Sequence, residues 1–526
     1  MNQIRILFSF LKKKPVSPDF DLVKIKWYFK NNDINHVFQV LTEQTCTDLN
    51  LDDFFFRINK TYSCVGQQYM YDRLRRIPLE PEMAGSDNIL QYLKNHKETV
   101  GRCQKLLSKL AHENAYYICS LFHDTYPVLS PVMGKVIKIL QLMPLLFIAV
   151  FVFFSKEIWI IFAAGFFIIN MILHYRNRIT LSSYLHSVPQ FFKLVFIARK
   201  LSSETPFNAI HPDIKKHLQS IQPLVGFLSY FKYDDKIEND MAILFLTVKE
   251  LVSIFFLVEP NILYRSFRLL EEKEADIEAI FEYVGHIDML QSVVRMREDF
   301  PWYCKPQWTE EGLQTTDIYH PLIEHCVPNT LNTGGKSILL TGSNMSGKTT
   351  FIRTIALNML CANALDMCFA RSFSGRRMKI HSAINLHDNL LESQSFYMKE
   401  VMVIKDMLEK TNQSGYDLFI LDEIYKGTNT LERIAASKAV LSALAVNGNM
   451  VFVSTHDIEL ADLLAVEYDL YHFCEQIEQN QLYFDYLIKQ GKLKNRNAIR
   501  LLEIEGYPES VISEAISITE KIVTQR

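Results

Sequence analysis

Hydrophobic and polar positions divide this chain into three regimes. Over residues 20–130 and 180–300, Leu, Phe, Tyr and Lys recur at helical spacing with few glycines, which predicts packed helices. Met241 to Leu257 and Leu269 to Met296 read as the clearest long helices. The second opens on Glu271, Glu272 and Glu274, acids that suit a helix N-terminus. Glu259-Pro260 punctuates the gap between them, and Asp299 to Pro306, with prolines at 301 and 306, reads as a linker. Beyond the linker the pattern changes to short apolar runs, Ser337 to Leu340, Leu418 to Leu421 and Met450 to Ser454, each ending in polar groups. Phe351 to Leu360 follows the first run with helical spacing, so the C-terminal part reads as α/β.

The third regime is apolar on every face. Residues 139–154 (ILQLMPLLFIAVFVFF) and 158–173 (IWIIFAAGFFIINMIL) carry no charge and are separated only by Ser155-Lys156-Glu157. A spanning helix needs about 20 mainly apolar residues, with a lower limit near 17. Each run reaches that limit when Val136 and Ile137 join the first and His174 and Tyr175 the second, with Lys138 snorkelling. Lys135 and Lys138 before the pair, and Arg176 and Arg178 after it, put both outer ends on the cytoplasmic side by the positive-inside rule. Pro144 can kink the first helix without forbidding it. A buried helical hairpin, or an apolar tip for a partner protein, is the competing reading. Core helices seldom run apolar all round for this length, which favours the membrane hairpin.

The chemistry lies at the ends of the apolar runs. Residues 342–350 read Gly-Ser-Asn-Met-Ser-Gly-Lys-Thr-Thr, which contains a complete G-x-x-x-x-G-K-[ST] phosphate-binding loop between a strand and a helix. Gly342 and Gly347 permit the tight backbone, and Ser343, Asn344, Met345, Ser346 and Thr350 complete the loop. Successive loop N–H groups meet phosphate oxygens, Lys348 supplies a point charge, and the Thr349 hydroxyl can ligate Mg²⁺. The second run ends in Asp422-Glu423, one carboxylate to hold the metal and the next to polarise the attacking water. The third ends in Thr455-His456, which can bring an imidazole near the γ-phosphate. Any one of these pairs alone means little. Three strand-terminal polar groups in this order read as an ATPase using ATP and Mg²⁺, with Lys348, Glu423 and His456 catalytic and Thr349 and Asp422 on the metal.

The particular strings narrow the class. Thr341 to Thr350, Ser395-Phe396-Tyr397-Met398-Lys399-Glu400, Asp422 to Thr430, Ser454-Thr455-His456 and Gly506-Tyr507-Pro508 resemble, in order, the motifs of the MutS family of DNA mismatch-repair ATPases. His320-Pro321 and Val327-Pro328-Asn329 stand ahead of the first strand as in that family. Weaker likeness covers Asp48-Leu49, Thr61 to Pro78 and Ile287 to Pro306, which resemble parts of its helical core domain. The resemblance implies an ABC-type dimeric ATPase in which Ser395 completes the partner's site and Asn329 helps bind nucleotide. Tyr425-Lys426 in place of the family's Gly-Arg, Phe396 in place of Thr, and Ser393 in place of Gly are departures that bear on the efficiency of that composite site. The family's mismatch-reading domain has no counterpart here. Phe473-Cys474-Glu475 fits its Phe-x-Glu string but reads as core strand.

Net charge is −3, so no global basic field advertises nucleic acid. Lys12-Lys13-Lys14, behind Phe8, Phe10 and Leu11, reads as a solvated terminal face or as a contact with anionic lipid. Met1 to Leu11 is too short an apolar segment for a cleavable signal. The nine cysteines include no C-x-x-C pair and read as reduced thiols.

The expected fold is therefore an α/β ABC-type P-loop ATPase domain at the C-terminus, preceded by an all-α lever or core domain that a two-helix transmembrane hairpin interrupts. The expected divisions are 1–134 and 179–306 for the helical part, 135–178 for the hairpin and 307–526 for the ATPase. The expected function is a membrane-anchored, homodimeric MutS-like ATPase with both soluble parts in the cytoplasm, its helical levers moved by ATP. DNA repair or DNA-structure sensing is one use of that motion. A nucleotide-switched membrane scaffold for a protein partner, without DNA binding, is the alternative.

Overall fold

The computed structural model describes residues 21–30, 37–80, 86–123, 131–185, 187–229, 240–343, 346–385, 396–411, 415–478, 481–492, 502–503 and 506–524. Lys12 to Lys14, Asn344, Met345, Ser393 and Ser395 lie outside them. The chain divides into two compact units. One holds residues 1–33, 60–72 and 86–294, the other 34–59, 73–85 and 295–526.

The first unit is helical. Its core buries Tyr28, Phe191, Phe207, Phe281 and Tyr283 completely. Each such side chain contributes about 2–3 kcal/mol through removal of apolar surface from water. One buried acid organises a helix crossing. Asp288 accepts hydrogen bonds from the Tyr62 N–H (2.9 Å), the Ser63 N–H (2.8 Å) and the Ser63 hydroxyl (2.5 Å). Gly66 lies directly against it, and a Cβ there would fall 2.2 Å from Asp288 Oδ2. Gly66→Ala therefore forces the carboxylate off its three donors. The expected loss is about 3 kcal/mol of unit stability, read as a lowered denaturant midpoint. An unchanged midpoint would remove Asp288 as the organiser of this crossing.

The long apolar segment forms two helices, α1 (Pro131–Phe154) and α2 (Ile158–Leu185), joined by residues 155–157 with Ser155 in a left-handed turn at φ 53°. Phe147 stacks on Trp159, Phe162 and Phe166 across the pair. Spans Gly134–Phe154 and Ile158–Arg176 are long and apolar enough to cross a membrane, and only 11% and 17% of them is buried. Asn170 ties the pair to a later helix, α3 (Asp240–Phe255), donating from Nδ2 to the carbonyls of Leu140 (3.2 Å) and Phe255 (3.1 Å).

The region expected as one helix over 269–296 is two, α4 (Val258–Glu272) and α5 (Glu274–Asp299). Leu257 at φ 45° separates α3 from α4. Glu259-Pro260 therefore lies in the first turn of a helix and not in a gap, because the proline's missing N–H costs nothing there. Glu271 and Glu272 end α4 and do not open the next helix. A polar cluster fixes the break at Lys273. The lysine Nζ donates to Ser220 Oγ (2.6 Å), and Asp276 accepts from Ser220 Oγ (2.6 Å) and pairs with His217 (2.7 Å). Helical periodicity runs through such a break without registering it.

The second unit is built on a six-stranded sheet. In chain order its strands are β1 (Ser337–Thr341), β2 (Met378–Ala383), β3 (Tyr416–Asp422), β4 (Met450–Ser454), β5 (Tyr468–His472) and β6 (Lys489–Gln490), arranged β6-β5-β1-β4-β3-β2. All neighbours are parallel except the β5–β6 edge. Leu339, Phe419, Leu421, Val451 and Val453 are fully buried at its centre, as continuous apolar runs in a parallel sheet require. The parallel register sets Ser454 beside both Leu340 and Asp422, so the C-terminal ends of β1, β3 and β4 share one edge. The helix after β1, α6 (Lys348–Leu365), is buried along most of its length.

Residues 37–48 complete this unit from far upstream. The Gln39 amide acts as a substitute strand at the β2 edge, donating to the Ile380 carbonyl (2.6 Å) and accepting from the Ile380 N–H (2.8 Å). Asp48, fully buried, closes the end of β2 by accepting from Ser382 Oγ (2.8 Å), Ile384 N–H (3.0 Å) and Asn385 N–H (2.8 Å). A separate four-stranded sheet brings Gln307–Trp308, Ser372–Gly375, Gln314–Ile318 and Asn329–Asn332 together in that order.

Candidate functional site

The glycine-rich loop runs from the end of β1 into the first turn of α6. Its backbone demands glycine at two points. Gly342 sits at φ 145° with the Phe473 carbonyl 2.6 Å from where a Cβ would be, and Gly347 sits at φ 100°. Ser346 Oγ donates to the Ser343 carbonyl (2.8 Å), and Ser343 Oγ donates to Glu475 (3.1 Å). Lys348 folds back into this loop, its ammonium donating to the carbonyls of Gly342 and Ser343, both at 2.7 Å. Burial pushes Lys348 down to about 8, although Glu423, Asp422 and Glu475 pull it upward.

The shared sheet edge brings the acids to the loop. Thr349 Oγ1 donates to Asp422 Oδ2 at 2.8 Å, while the other Asp422 oxygen accepts from Ser454 Oγ. Glu423 adopts a left-handed conformation (φ 52°), and its N–H donates to the Ser454 carbonyl (2.9 Å). Its carboxylate faces His456 Nε2 at 2.8 Å and Lys426 Nζ at 3.3 Å. The His456 hydrogen bond, opposed by burial and helped by Lys426, holds the Glu423 carboxyl down at about 2. Tyr425, also left-handed at φ 61°, donates its N–H to buried Glu400, whose carboxyl burial pushes upward.

Beside the loop lies a cavity of about 510 Å³, whose lining includes Tyr319, His325, Asn329, Gly347, Thr350 and Tyr486. Asn329 shapes this wall through the backbone, donating to the Tyr486 carbonyl (3.0 Å) and accepting from the Ile488 N–H (2.7 Å). Phe473 also lines it and packs on Phe351, and Glu475 begins a short strand (Glu475–Glu478) whose carboxylate meets the loop.

The structure thus brings Lys348, Thr349, Asp422, Glu423 and His456 together and sets Asn329 in the adjoining cavity. Sequence reasoning missed Ser454 as the second partner of Asp422, and the contributions of Lys426, Glu475 and Tyr486. Ser454 and Lys426 carried a signal, the first as the polar end of an apolar run and the second as a departure within the Asp422 to Thr430 string.

Fold and site define a parallel-sheet α/β domain with a glycine-rich, phosphate-type loop and hard oxygen donors at its strand ends. Residues 338–523 match the family model for MutS domain V. Over this domain the chain is similar to the MutS family. It is 26% identical over 296 residues to the DNA mismatch repair protein MutS of Bacillus licheniformis, covering 52% of this chain and 34% of that one. It is 28% identical over 280 residues to the protein of the same name from Methanosarcina acetivorans, covering 50% and 31%. To the MutS protein homolog 4 of Mus musculus it is 28% identical over 277 residues, covering 49% and 29%. The chain therefore spans about a third of the length of these curated relatives.

Proposed function

We propose that this chain is an ATP-hydrolysing MutS-like machine that works as a homodimer and is anchored in a membrane by the α1–α2 hairpin. The observation that carries the reading is the pairing of Thr349 with Asp422 beside the pairing of Glu423 with His456, both at 2.8 Å, next to a buried loop lysine.

The Thr349 hydroxyl and the Asp422 carboxylate fit Mg²⁺, a hard cation that takes oxygen ligands. When bound it neutralises phosphate charge. Lys348 exchanges its two loop carbonyls for phosphate oxygens, and the loop N–H groups hold the triphosphate. Glu423 orients and deprotonates the attacking water, with His456 fixing the carboxylate's position. The cavity beside Tyr319 and Tyr486 takes the nucleoside. Ser395 of the second copy completes the site, and Asn329 keeps the cavity wall in place. The low burial of the two spans supports insertion over a soluble-core role. Both soluble parts lie in the cytoplasm under this reading. The motion is used on DNA, as the names of the curated relatives suggest. ATP turnover by purified protein, with and without duplex or branched DNA, tests the proposal. No turnover in either condition, with binding that ignores both DNA and salt, would sink it.

One observation favours the alternative, a nucleotide-switched scaffold with little turnover. Lys426 and His456 both hold the Glu423 carboxylate and depress its basicity, which suits a long-lived bound state more than rapid hydrolysis.

The buried lysine makes nucleotide affinity depend on pH. Only the ammonium form attracts phosphate, and its position at about 8 in the free protein means it deprotonates as pH rises through that value. Bound phosphate raises it, so binding takes up a proton above pH ~8, and affinity falls about tenfold per pH unit there. Calorimetric titration across that range checks this. A dissociation constant that stays flat from about pH 7 to 10 would contradict it.

A further inference from the structure

A cavity of about 560 Å³ opens at the foot of the hairpin, where the Gly134–Phe154 span begins. Two helices send cations into it. Lys135 and Lys138 lie three residues apart in the first turns of α1, and Asn261, Arg265, Arg268 and Glu272 form one face of α4 at offsets of four, seven and eleven. Glu272 is the acid in its lining, and it is paired with Arg268 at 3.0 Å. Lys135, Lys138 and Arg265 make no ion pair among the described residues. Four positive groups converging on one concavity with a single carboxylate among the described residues form an anion site. Arg265 is steadied from below by the Phe227 ring, 6.0 Å from its guanidinium carbon.

The face of α1 that carries the lysines continues as an apolar one. Lys135, Lys138, Leu142 and Leu145 follow at offsets of three, seven and ten, and the two leucines are 64% and 42% exposed. From Lys138 to Leu145 the helix rises about 10 Å, so a phosphate held by the cations has exposed hydrocarbon running away from it along one stripe. A free phosphate has no use for that stripe, whereas an amphiphile does.

We propose that this cavity binds the phosphodiester headgroup of an anionic phospholipid, with the acyl chains lying along the Leu142–Leu145 face of α1. The site rests on the reading of the hairpin as membrane-inserted. The full chain, extracted in mild detergent from phosphatidylcholine vesicles containing phosphatidylglycerol, is examined by native mass spectrometry for retained lipid. Phosphatidylglycerol is retained over phosphatidylcholine. Lys138→Gln with Arg265→Gln weakens that retention roughly 25-fold, at about fivefold per charge removed. Glu272→Gln acts in the opposite direction, because it removes the opposing charge and frees Arg268. Equal retention of both lipids by an inserted chain overturns the site and leaves the anchor standing. Inorganic phosphate that displaces the lipid at comparable concentration overturns the lipid assignment in favour of free phosphate. A chain that never enters the vesicles overturns the anchor and the lipid site together.

Discussion

Glu423→Gln leaves ATP binding intact and lowers steady-state hydrolysis by about 100-fold or more. The side chain keeps its size but loses the ability to accept a proton, and positioned general bases contribute roughly 10²–10⁴ in rate. Binding survives because the phosphate contacts belong to other groups, the loop, Lys348 and Thr349. Lys348→Ala does the reverse, abolishing nucleotide binding by removing the buried ammonium. With hydrolysis blocked, ATP holds the Glu423→Gln chain as a closed dimer, measurable as a mass shift by light scattering. Adding Ser395→Ala to that background weakens the dimer if the serine completes the partner's site. Hydrolysis by Glu423→Gln near the wild-type rate would refute the base assignment. An ATP-dependent dimer indifferent to Ser395→Ala would refute the shared site.

Leu146→Arg combined with Ile168→Arg releases the protein from membranes. Both side chains are about half exposed on the hairpin surface, at 51% and 50%, and both lie well inside the spans. Each central arginine costs about 2.5–3.5 kcal/mol on the insertion scale, about 6 kcal/mol for the two. Phe166 is a poorer site for such a test, because it stacks on Phe147 and its loss also disturbs the hairpin itself. Fractionation of cells expressing each form, followed by carbonate extraction, reads the result. Membrane retention of the double variant at wild-type levels counts against the anchor. So does a wild-type chain that remains in the soluble fraction after lysis without detergent.

The phosphate-type loop and the hairpin were legible in the sequence because each is a contiguous physical requirement. A loop that wraps phosphate needs glycines, lysine and hydroxyl within a few residues. Two helices that stay apolar on every face register as two uninterrupted apolar runs. Asp422, Glu423 and His456 were legible as candidates for a related reason, since each ends or closely follows a strand that a parallel sheet must bury. The tertiary structure decided what depends on register and on distant chain segments. Ser454 becomes a partner of Asp422 only because β4 lies beside β3 without a slip. Gln39 and Asp48 close the β2 edge from more than 300 residues away, and no local pattern marks a lone glutamine or aspartate for that task. The helix break at Lys273 escaped because Ser220, His217 and Asp276 hold it through side chains while the apolar period continues across it. The cation-lined cavity is of the same kind. Its lysines and arginines lie about 130 residues apart, and the crossing of α1 with α4 is what turns two ordinary charged faces into one site.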